Sequence, residues 1–353
     1  MLREGPHRET PSEPVTAAPR TPSAAGFRPW RWAVGGHRQT LLGYWTRRWL
    51  GWPLAAEDVV LEAGGDVRLL LRATWQRGPR GERPALLIVH GLGGSDRSPY
   101  VLSTGRLAWA RGWHVVRANL RGAGDAEALC PRLYNAGLDA DFIAIVDALA
   151  LTCPRVAAVG FSLGGSVALL ALGRNGPRVS PALRGVAAVC PPLDLAACAG
   201  ALERPANRAY QRYFMKKLRE SYRRRQRLRP DLYAAGLERS LVSVRDFDEV
   251  ITAHYGGYRH ADDYYARSSA GPRLAGIGRP AFVLAAEDDP LVPADSVRRW
   301  PLSPSVRREI LPTGGHVGFV APTKAPGFFW AAERVLDELE TWVSRDSSEN
   351  PRG

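Results

Sequence analysis

Three residues of this chain have the types, order and loop contexts needed for acyl transfer: Ser162, Asp289 and His316. A serine hydroxyl is a weak nucleophile unless an imidazole of near-neutral pKa accepts its proton. That imidazole in turn needs a carboxylate to fix its tautomer. Ser162 is the centre of Gly160-Phe-Ser-Leu-Gly164, with small and β-branched residues leading in (156–159) and an Ala/Leu-rich run leading out. The pattern predicts strand, sharp turn, helix. Glycines on both sides let the backbone fold over the serine, and the N–H of Leu163 then sits at a helix N-terminus, where a developing oxyanion is stabilised. His316 follows Gly314-Gly315, and Asp289 stands directly before Pro-Leu-Val-Pro293. Asp288, one residue away, and Asp194, after an earlier strand, are the alternative acids. A second oxyanion donor is expected at the N–H of Leu92, within Gly91-Leu-Gly-Gly-Ser95. The alternative there is an ordinary glycine-rich turn or a phosphate loop, although no Walker lysine follows. His90, His37 and His254 read as structural or pocket-lining.

Hydrophobic patterning gives the elements that must position these loops. Segments 58–62 and 67–75 straddle Gly64-Gly65-Asp66 and read as an opening antiparallel hairpin. Segment 84–90 is a continuous apolar run, as expected of a strand buried on both faces. Helix (101–111), strand (114–120), loop (121–138), helix (139–151) and strand (155–159) then alternate, which argues for a mainly parallel, doubly wound α/β sheet. Further strands are expected at 186–190, 280–286 and 307–311, with an amphipathic closing helix over 326–343. A membrane span over 156–173 is disfavoured by its four glycines and two serines.

The 353 residues carry a net charge of +13, nearly all of it from arginine, with 45% hydrophobic residues. Such a chain is soluble, globular and drawn to polyanions. Cys130, Cys153, Cys190 and Cys198 have no metal-ligand spacing, so neither metal nor cofactor is expected. Sparse cysteine and the lack of a signal-peptide apolar run place the chain in the cytoplasm. Residues 1–26 hold too little apolar material to bury and are expected to be disordered. A tail over 347–353 is expected to be flexible.

Five tryptophans interleaved with arginines lie between Phe27 and Trp52. They suit either a membrane interface or packing over a pocket. Packing on the protein is the preferred reading, because the segment lacks a sustained helical apolar face. The core is expected over 27–193 and 276–346, interrupted at 194–275 by a basic, aromatic helical cap over the carboxyl edge of the sheet. Within that insertion, Arg223-Arg224-Arg225 reads first as a solvated helix face, with an anionic substrate, a phospholipid surface or nucleic acid as alternatives.

These motifs together resemble the YheT-like α/β-hydrolases, also called the AB-hydrolase 4 family, over nearly all of 27–343. The resemblance rests on Gly36-His-Arg-Gln-Thr40, His90-Gly-Leu-Gly-Gly-Ser95, Asn119-Leu-Arg-Gly122, Tyr134-Asn-Ala-Gly137 with Asp141, and Gly160-Phe-Ser-Leu-Gly-Gly165. It continues through Pro192-Leu-Asp194, Arg245-Asp-Phe-Asp248, Asp262-Asp-Tyr-Tyr-Ala-Arg-Ser-Ser269, Asp288-Asp289-Pro290 and Gly314-Gly-His316. It implies an α/β-hydrolase fold and a serine hydrolase of carboxylic esters, with Ser162, Asp289 and His316 as the triad. The expected partner is a small, in one reading lipid-like, ester. Peripheral contact with anionic membrane stays open and nucleic acid is disfavoured. The competing class is a catalytically idle hydrolase fold that binds anions through its basic cap. Asn135 departs from the family's usual His, and Ala123-Gly-Asp125 from its Cys-Gly-Gly.

Overall fold

Eight strands form one sheet: β1 (Glu57–Glu62), β2 (Arg68–Thr74), β3 (Ala85–Val89), β4 (His114–Ala118), β5 (Val156–Phe161), β6 (Leu183–Val189), β7 (Ala281–Ala286) and β8 (Val306–Leu311). The structure is a computed structural model that describes residues 26–130 and 132–344. The expected disordered segment (apart from residue 26) and the expected flexible tail lie outside the described residues. Spatial order is β1-β2-β4-β3-β5-β6-β7-β8. The β1–β2 hairpin joins antiparallel to β4, and every other pairing is parallel.

The core strands are apolar throughout because each feeds two layers. In β3, Ala85, Leu87 and Val89 face one cluster while Leu86 and Ile88 face the other. β7 repeats the alternation with Val283 and Ala285 against Phe282, Leu284 and Ala286. This is the period of two that a strand imposes. The helices over these faces include α1 (Gly36–Arg47), α2 (Pro99–Ala110), α3 (Asp139–Ala150) and α4 (Leu163–Asn175). α3 and α4 cover the first face. α2 and the closing helix Trp330–Val343 cover the second. That closing helix starts later than the pattern predicts, since Phe328 takes φ +57° in a turn just before it.

The strand order reverses about β3. The chain passes from β3 to β4 on one side and returns to β5 on the other, so the loops after β3 and β5 open side by side. In doubly wound sheets a ligand crevice forms at such a reversal.

No strand occurs between β6 and β7. That stretch holds α5 (Leu195–Glu203), α6 (Arg208–Leu228), shorter helical turns and the helix Ala261–Ser268. Met215, Tyr222, Tyr233, Phe247 and Ile251 form a separate apolar cluster there, which takes in Leu291 from the loop after β7.

The expected packing of the Trp/Arg segment holds at its ends, where Phe27 and Trp52 pack against the core, but α1 departs from it. Its buried residues are Gly36, Gln39, Gly43 and Arg47, while Leu41, Tyr44, Trp45 and, just beyond the helix, Trp49 face out. The inward face docks by polar contacts to the backbone. Gln39 donates to Ala33 O (2.8 Å) and accepts from Val320 N (2.6 Å). Arg47 donates to Gly43 O (2.6 Å) and Val317 O (2.7 Å) and lies over the Phe329 ring. Burial pushes the Arg47 guanidinium down to about 9. A search for apolar periodicity in the core direction misses such a helix, because its apolar stripe points the other way.

Candidate active site

β5 runs straight into Ser162, whose N–H donates to Val189 O of the neighbouring strand (2.8 Å), continuing the ladder to the last residue before the turn. Ser162 itself takes φ +50°, ψ −122°. An L-residue is held in that region at a cost of about 1–3 kcal/mol, and such strain persists only where surroundings enforce it. Here they do. A Cβ on Gly160 would come within 2.5 Å of the Gly164 carbonyl group, and one on Gly164 within 2.5 Å of His90 O. The flanking glycines therefore answer close backbone approach at both sides of the turn.

The Ser162 hydroxyl lies 3.0 Å from His316 Nε2. His316 Nδ1 lies 2.9 Å from Asp289 Oδ2. The other Asp289 oxygen accepts from the N–H groups of Leu291 (2.8 Å) and Val292 (3.0 Å). With the Asp289 side chain almost fully buried, those two amides leave one oxygen aimed at the imidazole. This fixes Nδ1 as the protonated nitrogen and Nε2 as the acceptor for the serine proton.

The two rival acids are otherwise engaged. Asp288 Oδ1 accepts from Gly314 N (3.0 Å) and Gly315 N (2.9 Å), and Asp288 Oδ2 accepts from the Thr313 hydroxyl. It thus clamps the loop that carries His316. Asp194 caps α5 through Ala197 N and pairs with Arg299.

The loop after β3 approaches Ser162 so closely that a Cβ on Gly91 would stand 3.0 Å from the serine Cβ. Its N–H groups divide sharply. Gly91 N donates to the Tyr100 hydroxyl (3.0 Å), Gly93 N to the Tyr134 hydroxyl (2.8 Å) and Gly94 N to Gly91 O (3.1 Å). Burial pushes both phenols above their ordinary range, so they stay neutral. The N–H groups of Leu92 and Leu163 find no acceptor among the described residues. His90 joins this loop to the end of β4, since its Nδ1 pairs with Gly91 O (2.8 Å) and its Nε2 accepts from Leu120 N (3.1 Å). Burial pushes it down to about 4, which keeps it a neutral structural link.

Several supports escape a reading of the sequence. Thr40 accepts from His316 N (2.8 Å) while its hydroxyl donates to Gly36 O (2.7 Å). A Cβ on Gly36 would collide with Asp288 O. Gly36 and Thr40, the two ends of the Gly36-His-Arg-Gln-Thr40 motif, therefore back the His316 loop, and that motif is the one signal that could have found them. Cys190 is fully buried and takes φ +49°. Its sulfur accepts from Val317 N at 3.4 Å. Cys190, Asp289 and His316 place donor atoms within 4.8 Å of one another, as a metal site would. Burial raises the Cys190 thiol well above its ordinary pKa, and a thiol that stays protonated is a poor metal ligand.

A cavity of about 450 Å³ opens over Ser162 and His316, lined by Leu92 and Leu163 from the core and by Phe214, Leu218 and other residues of the insertion. Asn135 lies in its wall and accepts from Gly137 N (2.9 Å). Asp248, also lining it, accepts from the Tyr265 hydroxyl (2.9 Å), and burial pushes its carboxyl up to about 6.

Arg223 and Arg224 are exposed, as a solvated face requires, although both are ion-paired, and Arg225 departs from that expectation. Arg223 pairs with Glu238 (2.9 Å) and Arg224 with Glu127 (2.6 Å). Arg225 is wholly buried, lies 3.6 Å from Glu127 and donates to the carbonyls of Gly122 and Arg132. The run ties the insertion to the loop after β4.

A family model described as alpha/beta hydrolase fold matches residues 84–321. The chain is 31% identical to the putative esterase YheT of Escherichia coli (strain K12), over 94% of this chain and 98% of that protein. It is 30% identical to phospholipase ABHD3 of Mus musculus over 67% of this chain, and spans 59% of that relative's length. Among solved structures, the Pyrococcus furiosus esterase Pf2001 shares the fold, with a TM-score of 0.54 at 15% identity, covering 82% of this chain and 94% of that one.

Proposed function

The chain belongs to the YheT-like α/β-hydrolases, and we propose that within this family it is a serine hydrolase of carboxylic esters acting through an acyl-enzyme. The observation that carries the reading is the continuous hydrogen-bond chain from Asp289 through His316 to Ser162, beside two backbone N–H groups without acceptors. Ser162 Oγ attacks the ester carbonyl carbon as its proton passes to His316 Nε2. The carbonyl oxygen, now an anion, is held by the N–H groups of Leu92 and Leu163, donors already oriented before the reaction begins. Collapse of the tetrahedral intermediate breaks the bond to the alcohol oxygen, which leaves with the proton from His316. Water then attacks the acyl-serine, giving its proton to the same nitrogen, and the acid is released as Ser162 regains its hydrogen. Asp289 orients the imidazole and stabilises the imidazolium.

The mainly apolar cavity suits an acyl or alkyl chain, with the insertion over 194–275 acting as the cap that shapes it. An idle fold that gathers anions through its arginine run would need free guanidinium groups there, whereas that run is engaged with Glu127, Glu238 and backbone carbonyls.

The test pairs chemistry with labelling. Ser162→Ala should lower kcat on short p-nitrophenyl esters by ~10⁴-fold or more, and should abolish labelling by a fluorophosphonate probe while leaving the circular dichroism unchanged. Retained hydrolysis in that variant rejects the mechanism.

A further inference from the structure

α1 is built inside out. Its buried stripe is small and polar, and its solvent stripe carries Leu41, Tyr44 and Trp45, at 53%, 57% and 56% exposure, continued by Trp49 at 83%. Trp32, just before α1 in the chain, and Phe328 are exposed as well. Trp30 stacks on Trp32 (5.7 Å between ring centroids) and meets Phe328 edge-on (5.2 Å). Isolated exposed apolar residues are ordinary, but this many exposed aromatic rings within one short stretch of chain mark a docking surface.

Charge selects the partner. From residue 26 to residue 56 the chain has no Asp or Glu, and it has Arg28, Arg31, Arg38, Arg47 and Arg48. Arg28, Arg31 and Arg38 have no acidic partner among the described residues. Arg48 lies over the rings of Trp45 (3.6 Å) and Trp49 (4.8 Å). A second copy of this face would set arginine against arginine. Residues 1–25 contain no aromatic side chain to cover it. Indole rings with interspersed guanidinium groups match the headgroup level of an anionic bilayer, where the rings enter the interface and the cations meet phosphate.

The patch also lies beside the cavity. Tyr213 and Phe214 of α6 line the cavity, and Tyr213 is itself exposed. His37 of α1 stacks on Tyr210, with Nδ1 3.1 Å from the hydroxyl. We infer that the outward face of α1, with Trp32 and Phe328, docks the protein on anionic lipid surfaces and so presents the mouth of the cavity to them.

Flotation of the full chain with vesicles of phosphatidylcholine, or of phosphatidylcholine with phosphatidylglycerol, tests this. The expected result is binding to the anionic vesicles that weakens with salt. Trp45→Ala/Trp49→Ala should reduce that binding at least ~10-fold, with turnover of a short soluble ester unchanged. Loss of soluble turnover would mark a misfolded variant, and Arg38→Glu, on the exposed side of the same helix, then serves as the second probe. Equal partitioning on neutral and anionic vesicles, or equal binding by parent and both variants, overturns the inference. So does a dimer of the parent, seen by light scattering, that the tryptophan variant converts to monomer. Because the readout is partitioning, it stands or falls independently of the esterase assay.

Discussion

The two walls of the cavity are held by different means. On the core wall, side chains are aimed by backbone groups: Asp289 by two amides, Asp288 by two more, and the loop after β3 by the phenols of Tyr100 and Tyr134. On the inserted wall, side chains hold mainly one another, through the aromatic cluster around Tyr222 and the ion pairs of Arg223 and Arg224, with Arg225 reaching two carbonyls of the loop after β4. Backbone partners fix a reacting geometry closely, because the loops that carry them leave directly from the ends of sheet strands. Side-chain partners fix shape more loosely. On the proposed mechanism the core wall sets which bond is broken, and the inserted wall sets which substrate fits.

The sharpest test of this division lies in two adjacent carboxylates. Asp289→Asn removes the acceptor at His316 Nδ1 and should lower kcat by ~10⁴-fold. Asp288→Asn loosens the loop without touching the imidazole and should lower it by only ~10- to 100-fold. Reversal of that order in steady-state kinetics would break the comparison on the core side.

On the inserted side the largest effect is in stability. Arg225→Ala leaves two carbonyls and Glu127 without a buried partner and should cost about 3 kcal/mol in urea unfolding.

Asp248 gives the comparison a pH axis. Its carboxyl, ordinarily at 3.8, is pushed up to about 6 by burial. Between those values the folded chain keeps a proton that the unfolded chain has released. Stability should therefore fall as pH rises from about 4 to about 6, by on the order of 2–3 kcal/mol, and level off above. Asp248→Asn, which can still accept from Tyr265, should remove that slope in denaturation curves taken across the window.

The smallest effect is expected at Arg224→Ala, since the guanidinium is half exposed and Glu127 keeps Arg225 nearby. Loss of less than about 1 kcal/mol is anticipated. A loss matching that of Arg225→Ala would mean that the run acts as one unit.

Much of the core wall is legible in the sequence. Continuous apolar runs mark β3, β5, β6 and β7, and the glycines around Ser162 mark the turn. Asp289 and His316 follow the ends of the late strands, where the sheet gathers its loops. What the sequence leaves hidden is contact between distant segments. Nothing near Thr40 says that it will meet His316. The swap that places β3 between β4 and β5 is a property of chain crossing that no local pattern carries. Arg225 looks like its neighbours in a charged helix, yet it is buried because the loop after β4 supplies Glu127 and carbonyl groups. α1 is missed because the segment shows no sustained apolar face, and its docking runs through glycines, Gln39 and Arg47 rather than through apolar side chains.

The bond from His316 N to Thr40 Oγ1 joins residues 276 apart in sequence. Bringing such distant segments together carries a loop-closure cost that grows slowly with length, and contacts of this separation form late. The parallel strands can pair before α1 docks, but the imidazole loop is not backed until it does. Recovery of esterase turnover in refolding should therefore lag recovery of far-ultraviolet circular dichroism. Appearance of activity then times the docking of α1 on the loop that carries the imidazole.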